Sequence, residues 1–481
     1  MSLTMCTALC VQAVAVVLVR WDLGRDWLRR PVPLFVLAAV AYQGLSQIFL
    51  LIPSVRVWDI SRLGIGQSHI DAATLIMSIG LLVFVICYLA TRPVRVAAAT
   101  RDNDSSDVAR ILDWRLLVLA SAPLAALTYE GRGYNSSIAA SEKTVPTDLA
   151  ATFLTVLVVL AAFGFLLQYG MKWFVTILIT QSVFLAAAGE RFPIIAGFVT
   201  LLLLLSHVGL RPSRRQVLIT LALTVMTVLG ITGYRTASGR GLYHQDSGLI
   251  SRAQAIGSGF YSLIHDSNQK NTFTGLVGQV TARFDGDSFA GGILQSMSFG
   301  HPALGATPVA KYTLIVIPSF AWPSKLTYIS RANPAWTETY AFGLQRINLV
   351  PTFLGLYFGF LGPYWLMVFL AIMGTLSGWG ERWLFRRYTA VRVVTMATAV
   401  QVVFKYEQGL PGILVTLRTA VVLAIAVKII EVVRGRVRKP ALRQVEKARK
   451  GRGVVSSARL SARVIWPDGS GYPTSIFRSL R

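Results

Sequence analysis

The sequence predicts an all-α, polytopic integral membrane protein. Three observations lead to this fold class: the composition, the recurrence of long apolar stretches and the placement of the cationic residues. The chain has 481 residues, of which 54% are hydrophobic and only 14% are charged. Its mean hydropathy of +0.56 is far too high for a soluble domain of this size. The net charge of +25 fits lysines and arginines that face anionic lipid headgroups better than it fits nucleic-acid binding.

Apolar stretches of membrane-spanning length recur along most of the chain. A helix needs about 20 apolar residues to cross the hydrocarbon of a bilayer, and about eleven spans are predicted, with a range of about ten to twelve. The first stretch lacks the basic residues and the cleavage site of a signal peptide, so we expect it to be retained. The predicted spans are residues 3–19, 32–53, 70–91, 116–129, 149–168, 173–188, 192–210, 216–233, 348–378, 391–404 and 411–431.

Cationic residues follow every second predicted span, and this alternation sets the orientation of the chain. The connectors that we predict to be cytoplasmic contain Lys172, Arg20, Arg25, Arg29, Arg30, Arg92, Arg95, Arg101, Arg110, Arg115, Arg211, Arg214, Arg215, Arg382, Arg386, Arg387 and Arg392. One missed helix would invert every later assignment, so the unbroken alternation is a test of the spans. It predicts a multi-pass protein of the inner (plasma) membrane with its N-terminus outside and its C-terminus in the cytoplasm.

The predicted spans form one transmembrane domain, residues 1–431, with a large extracytoplasmic loop at residues 234–346. This loop contains many aromatic residues and glycines, so we expect it to be ordered and to pack on the membrane domain. The remaining residues, 432–481, are rich in arginine and lysine, and we predict a disordered cytoplasmic tail.

The apolar stretch from Asn348 to Trp379 is too long for one straight span. It contains Gly355, Gly359 and the pair Gly362-Pro363. Glycine and proline interrupt helices, so we expect a kink here or a re-entrant first part.

The arginines in the predicted extracytoplasmic loop are the first residues that indicate a binding function. The preference of cationic residues for the cytoplasmic side does not explain arginines that face outward. A guanidinium group binds phosphate oxygens through two parallel hydrogen bonds, so a phosphate group is a candidate partner. Pairing with acidic residues of the same loop is the structural alternative. The arginines are Arg235, Arg240, Arg252, Arg283, Arg331 and Arg346.

A second signal is the short outer connector Gly189-Glu190-Arg191 between two long apolar helices. Charges at such a position are costly without a purpose. Arg191 would lie near the depth of a lipid pyrophosphate, and Glu190 could pair with it or act as a base. An ion pair that marks a helix end is the alternative.

Several groups in the loop could act as a general base, and the sequence alone does not choose among them. They are Asp285, Asp287, His244, His265, His301 and Glu338. The pair Asp285 and Asp287 lacks a third ligand, so neither a metal nor any other cofactor is predicted.

Over roughly residues 150–380 the chain resembles the Wzy-type O-antigen and exopolysaccharide repeat-unit polymerases. The resemblance rests on the Gly189-Glu190-Arg191 connector, the late external loop, residues 317–325 (IPSFAWPSK) and residues 351–362 (PTFLGLYFGFLG). It implies that a glycan on undecaprenyl pyrophosphate is transferred to the next lipid-linked repeat unit at the outer membrane face. The earlier outer loop, Glu130–Asp148, is short and Ser-rich, so donor and acceptor sites are not assigned to two loops.

This reaction would use the charged residues named above in two roles. Arginines aimed at the leaving pyrophosphate would stabilise the transition state, and a base must accept the proton of the acceptor hydroxyl. Besides the lipid-linked oligosaccharide and membrane lipid, a flippase and a chain-length regulator are expected partners. We expect pyrophosphate binding by Arg191, Arg283, Arg331, Arg235 and Arg346, and base catalysis by Glu190, Asp285 or His301.

Three other functions fit the same architecture. An O-antigen ligase differs chiefly in its acceptor, and a lone histidine such as His301 would suit it. A polyprenyl-phosphate-sugar glycosyltransferase could use Asp59 and Asp71 of the second connector. A transporter or flippase of lipid-linked glycan should carry charges within its spans and paired broken helices in matching halves. Neither feature is evident, and intramembrane polar residues such as Gln43, Gln47 and Gln181 are sparse.

Overall fold

The structure is a computed structural model in which two units are described separately, Met1–Val427 and Lys428–Arg481. In the second unit the structure describes residues 428–430 and 432, so the predicted tail lies almost wholly outside it. In the first unit it describes residues 2–49, 64–92, 112–131, 140–187, 191–208, 210, 212–223, 286–314, 317, 322, 324, 341–344, 352–384, 390–404, 406, 413–414 and 416–427.

Every regular element within these described ranges is helical. The helices are α1 (Leu3–Leu23), α2 (Pro31–Val40), α3 (Ser46–Phe49), α4 (Gln67–Thr91), α5 (Trp114–Gly131), α6 (Ala140–Tyr169), α7 (Phe174–Ala187), α8 (Arg191–Val208), α9 (214–223), α10 (Gly286–Ser298), α11 (Thr307–Thr313), α12 (Phe353–Leu384), α13 (Ala390–Phe404) and α14 (416–427). A π-helix, Ala41–Leu45, joins α2 to α3, and short 3-10 helices lie at Gly24–Arg29 and Met171–Trp173.

The all-helical fold class is confirmed, and each predicted span contains helical residues. Among the described helices, three are by length and composition able to cross a membrane: Leu3–Leu23, Gln67–Thr91 and Phe353–Trp383. One loop boundary was wrong, because α6 begins at Ala140, inside the predicted loop Glu130–Asp148. The predicted boundary followed hydropathy alone, and the helix extends beyond its apolar part into polar residues.

Helices α1 and α4 lie side by side in the same direction. Ser2 donates a hydrogen bond to Asp71 at one end, and Arg92 forms an ion pair with Asp22 at the other. Between these ends the Gln12 amide contacts α4. Helix α2 runs in the opposite direction, because Arg30 lies at the Arg92 end of the bundle while the following π-helix reaches the middle of α4.

Helix α12 is kinked at Gly362, as its glycines and Pro363 predicted. Gly362 has φ 72° and ψ 176°, a conformation that is nearly exclusive to glycine. The chain reverses there, since the rings of Phe353 and Phe369 are only 6.2 Å apart, whereas a straight helix would separate these residues by about 24 Å. We call residues 353–361 the first arm and residues 363–384 the second arm.

The second arm packs closely along α4, again in the same direction. Gly374 and Gly378 are four residues apart and face α4, so the two backbones approach each other as small-residue motifs allow in membranes. A Cβ atom added at Gly374 would collide with the carbonyl oxygen of Phe84. Thr91 of α4 donates a hydrogen bond of 3.3 Å to the Thr375 carbonyl.

The opposite face of the second arm is exposed and apolar. Its exposed side chains recur every three or four residues and form one stripe: Trp365, Val368, Ile372, Leu376, Trp379 and Trp383. The outermost tryptophans are about 27 Å apart along the helix, close to the thickness of bilayer hydrocarbon, and tryptophan favours both membrane interfaces. The stripe therefore has the length and composition of a lipid-facing surface.

A buried charge cluster lies where α2 begins and where α4 and α12 end. The guanidinium of Arg30 and the hydroxyl of Tyr88 both reach Oε2 of Glu381, at 3.3 and 2.7 Å. Arg382 donates a hydrogen bond of 3.2 Å to the Arg92 carbonyl. Burial lowers the pKa of Arg92, and the negative charge of Glu381 opposes this change. Several arginines predicted to share one membrane side therefore lie at one end of the bundle.

Candidate functional site

Helix α10, which belongs to the predicted extracytoplasmic loop, begins inside the helical bundle. Its first residues are buried, and Asp287 and Ser288 are completely buried. The close approach depends on glycine, because a Cβ atom added at Gly286 would collide with the Thr352 side chain and lie 3.0 Å from the Tyr42 carbonyl oxygen. A carboxyl group from the predicted loop is thereby placed among the helices of the bundle.

The first arm of α12 begins at the same point. Thr352 is completely buried, and its hydroxyl caps the arm by accepting a hydrogen bond of 3.2 Å from the Gly355 backbone N–H. The N-terminal ends of α10 and of the first arm therefore meet. Helix N-termini carry partial positive charge, so the acidic side chain of Asp287 in the first turn of α10 is electrostatically favoured there.

Tyr406 connects these two helix ends to the rest of the bundle. Its ring is completely buried and packs against Tyr42 and Phe35, with ring centroids 5.3 and 5.5 Å away. The Gln43 amide donates a hydrogen bond of 3.2 Å to the Tyr406 hydroxyl. The same hydroxyl interacts with the backbone N–H of Leu354 and with the charge of Asp287. The hydroxyl thus accepts from the π-helix and from the first arm of α12 and lies within electrostatic reach of α10.

The π-helix supplies Tyr42 and Gln43 to this region. A π-helix widens the turn by one residue and often marks a functional position inside a longer helix. Gln43 also lies 3.7 Å from the Met77 sulfur, in the middle of α4. We call the group of Asp287, Thr352, Tyr406, Gln43 and Tyr42 the central cluster.

The other end of α10 is fixed to the start of α4. The Gln295 side chain accepts a hydrogen bond of 2.7 Å from the Gly66 N–H and donates one of 3.1 Å to the Gly64 carbonyl. One turn later the Ser298 hydroxyl lies 3.3 Å from Nε2 of His69. Helix α10 therefore extends from the central cluster to the end of the bundle where α1 and α4 begin.

Two of the residues predicted to act in catalysis or pyrophosphate binding are described in part. His301 is exposed beyond α10, and its backbone N–H donates a hydrogen bond of 3.3 Å to the Ser296 carbonyl. Arg191 is the first residue of α8, and the description does not extend to its side chain. The other predicted residues lie outside the described ranges: Glu190, Asp285, Arg235, Arg283, Arg331 and Arg346. Their roles stay predictions.

Sequence reasoning did not single out the central cluster. Asp287 was one of several possible bases, and Tyr406, Thr352 and Tyr42 were assigned no role. Gln43 was noted only as a sparse polar residue within a span. The available signal was a set of polar side chains inside apolar stretches, where they are costly and usually functional.

Comparison with protein-family models, with curated proteins and with solved structures finds no match.

Proposed function

We propose that this chain is a membrane glycosyltransferase that polymerises lipid-linked oligosaccharide repeat units at the outer face of the plasma membrane. The proposal includes about eleven membrane spans, an outer N-terminus and a cytoplasmic tail. The substrate class is an oligosaccharide on undecaprenyl pyrophosphate, as the resemblance described above implies.

The observation that carries the proposal is the buried carboxyl group of Asp287. It comes from the loop expected to bind substrate, and it lies where the N-terminal ends of α10 and the first arm meet. The predicted residues Arg283 and Asp285 immediately precede α10 in the chain. Such an arrangement combines an acid–base group with partial positive charge, and transfer from a pyrophosphate donor needs both.

In the proposed reaction a hydroxyl of the acceptor repeat unit attacks the anomeric carbon of the donor glycan. The new carbon–oxygen bond forms as the bond to the pyrophosphate breaks, and the electron pair leaves with the pyrophosphate. Asp287 accepts the hydroxyl proton, and the helix N-termini together with the predicted arginines stabilise the developing phosphate charge.

The first test replaces Asp287 by Asn in cells whose only copy carries the change. Loss of a general base typically slows a reaction by about 10²–10⁴-fold, so we expect single repeat units in place of long surface polysaccharide. The measurement is the length distribution of the polysaccharide on a gel, at equal membrane levels of the protein.

The matched control is Asp71→Asn, since Asp71 is also buried but lies at the start of α4, where it is bound by Ser2 and Gln67. This variant should keep long chains. Long chains in Asp287→Asn would contradict the proposal. Loss of polymer only in Asp71→Asn would favour the polyprenyl-phosphate-sugar glycosyltransferase.

A transporter of lipid-linked glycan is the second candidate. In transporters, substrates often bind at the N-terminal ends of helices that begin inside the membrane domain, and α10 and the first arm both begin inside the bundle. Both helices come from the late part of the chain, however, and not from matching halves. The two functions differ in what accumulates without the protein: a transporter leaves lipid-linked repeat units on the cytoplasmic side, whereas a polymerase leaves them outside.

A further inference from the structure

Three buried glutamines, one of the central cluster and two next to it, each have one amide atom without a hydrogen-bond partner. They are Gln12 of α1, Gln43 of the π-helix and Gln47 of α3, with exposed fractions of 1%, 0% and 5%. The atoms concerned are Oε1 of Gln12, Oε1 of Gln43 and Nε2 of Gln47. Two acceptors and one donor therefore lie unused on three neighbouring elements.

The glutamines lie close together in the bundle. Gln12 and Gln43 contact the adjacent residues Ser78 and Met77 of α4. The Gln12 amide also lies against Gly44, where an added Cβ atom would collide with its oxygen. Gln47 follows Gln43 by about one helical turn. Gln12 is about 15 Å along α1 from Ser2, so the group lies below the end of the bundle where α10 meets α4.

The orientation of the Gln12 amide follows from its neighbours. The Ser78 hydroxyl donates its only proton to the Thr74 carbonyl, at 2.6 Å. It can therefore only accept from Gln12, whose Nε2 lies 2.9 Å away. The Gln12 oxygen must point away from Ser78, and it is the acceptor that has no partner.

Buried amide groups of this kind are costly, since each unsatisfied donor or acceptor loses its hydrogen bonds to water. Native interiors contain few of them, and each one requires an explanation. Two acceptors and one donor without charge match neighbouring hydroxyl groups, which both donate and accept. They do not match a phosphate, which only accepts.

We propose that Gln12, Gln43 and Gln47 form a subsite that binds the hydroxyl groups of a sugar of the lipid-linked substrate. The inference rests on the proposed function, because it places this sugar beside Asp287 through the contact of Gln43 with Tyr406. Sugar hydroxyls donate to the oxygens of Gln12 and Gln43 and accept from the Gln47 amide.

The test measures binding to the purified full-length chain in nanodiscs. The two probes are undecaprenyl pyrophosphate and the lipid-linked repeat unit isolated from cells that lack this chain. Gln12→Met and Gln47→Met keep the side-chain length and remove the amide, whereas Gln43 is left unchanged because it also contacts Tyr406. Each substitution should weaken binding of the repeat unit by about five- to tenfold and leave the affinity for undecaprenyl pyrophosphate unchanged.

The matched control is Gln181→Met. Gln181 lies in α7, is equally buried and also has an unsatisfied amide oxygen. This variant should bind both probes like the wild type. Wild-type affinity for the repeat unit in both Gln12→Met and Gln47→Met would overturn the subsite, and so would an equal loss for both probes.

The two experiments together distinguish a wrong subsite from a wrong proposed function. If Asp287→Asn abolishes the polymer while the glutamine variants bind normally, only the subsite is wrong. If the glutamine variants lose the sugar-dependent affinity while Asp287→Asn makes normal polymer, the subsite stands and the proposed role of Asp287 is wrong.

Discussion

At the scale of single residues, the Tyr406 hydroxyl is the group that joins the most elements of the central cluster. It accepts a hydrogen bond from Gln43, interacts with the Leu354 backbone and senses the Asp287 charge. Tyr406 therefore joins the π-helix to the first arm of α12, and its hydroxyl lies within electrostatic reach of Asp287. We assign it the role of positioning these two elements beside Asp287.

Tyr406→Phe should slow polymerisation about tenfold, because the Gln43 amide and the Leu354 N–H lose their acceptor and the two elements beside Asp287 lose their link. The measurement is the initial rate of polymer formation by purified protein across pH 5 to 9. A positioning role also predicts that the pH profile of the rate changes shape, whereas a purely structural role would lower the rate equally at all pH values.

Tyr357→Phe is the matched control for this prediction. Tyr357 is a buried tyrosine of the first arm whose ring stacks on Phe369, 4.0 Å away. The loss of its hydroxyl should leave both the rate and the pH profile within about twofold of the wild type. An identical effect of the two substitutions would contradict the special role of Tyr406.

The roles of single residues are what the sequence predicted least well. Charged residues of the loop stood out because they are rare in an apolar chain. Gln43, Thr352 and Tyr406, in contrast, are single polar residues with no repeating pattern. What makes them a group is the contact between three chain segments that are far apart in sequence, and hydropathy carries no information about such contacts.

At the scale of secondary structure, the close contact of α4 with the second arm depends on glycine. Gly374→Ala should destabilise the protein by about 1–3 kcal/mol, because the added methyl group meets the Phe84 backbone and not a movable side chain. The measurement is thermal unfolding of the purified protein in detergent, read as the shift in Tm.

Gly380→Ala is the control in the same arm, since a Cβ atom at Gly380 would have no other atom within 4 Å. Alanine favours helix over glycine, so this variant should be as stable as the wild type or slightly more stable. If both substitutions lower Tm equally, the contact between α4 and the second arm is not the cause.

At the level of helices, the sequence predicted the break in α12 but not the direction of its first arm. The glycines and Pro363 indicated a break in α12, and the kink at Gly362 is confirmed. The sequence left open whether the first arm continues or turns back. That outcome depends on aromatic packing of Phe353 and Tyr357 against Phe369, which is a tertiary interaction.

At the scale of the whole molecule, the proposed orientation predicts which ends are reached from outside the cell. Ser298 lies where α1 and α4 begin, whereas Arg214 starts a helix after a connector predicted to be cytoplasmic. Ser298→Cys should therefore react with a membrane-impermeant maleimide in intact cells, and Arg214→Cys should react only after permeabilisation.

The labelling background replaces the three natural cysteines, Cys6, Cys10 and Cys87, by serine. Both positions are exposed, so their reactivity in permeabilised cells should be equal and serves as the internal control. Labelling of Arg214→Cys in intact cells would show that the orientation is inverted or that a span has been miscounted.

The ion pair of Arg30 with Glu381 has a consequence for how the protein is made. The two residues are 351 positions apart in the chain. A ribosome delivers the first helices to the translocon long before the helix that carries Glu381 exists. During that interval the Glu381 carboxylate is absent, so burying the Arg30 guanidinium is costlier than in the finished protein, and solvation by water or lipid headgroups is favoured. The N-terminal helices therefore complete their packing only after the helix that carries Glu381 has been made. A chain truncated before Glu381 should remain a substrate for membrane quality control.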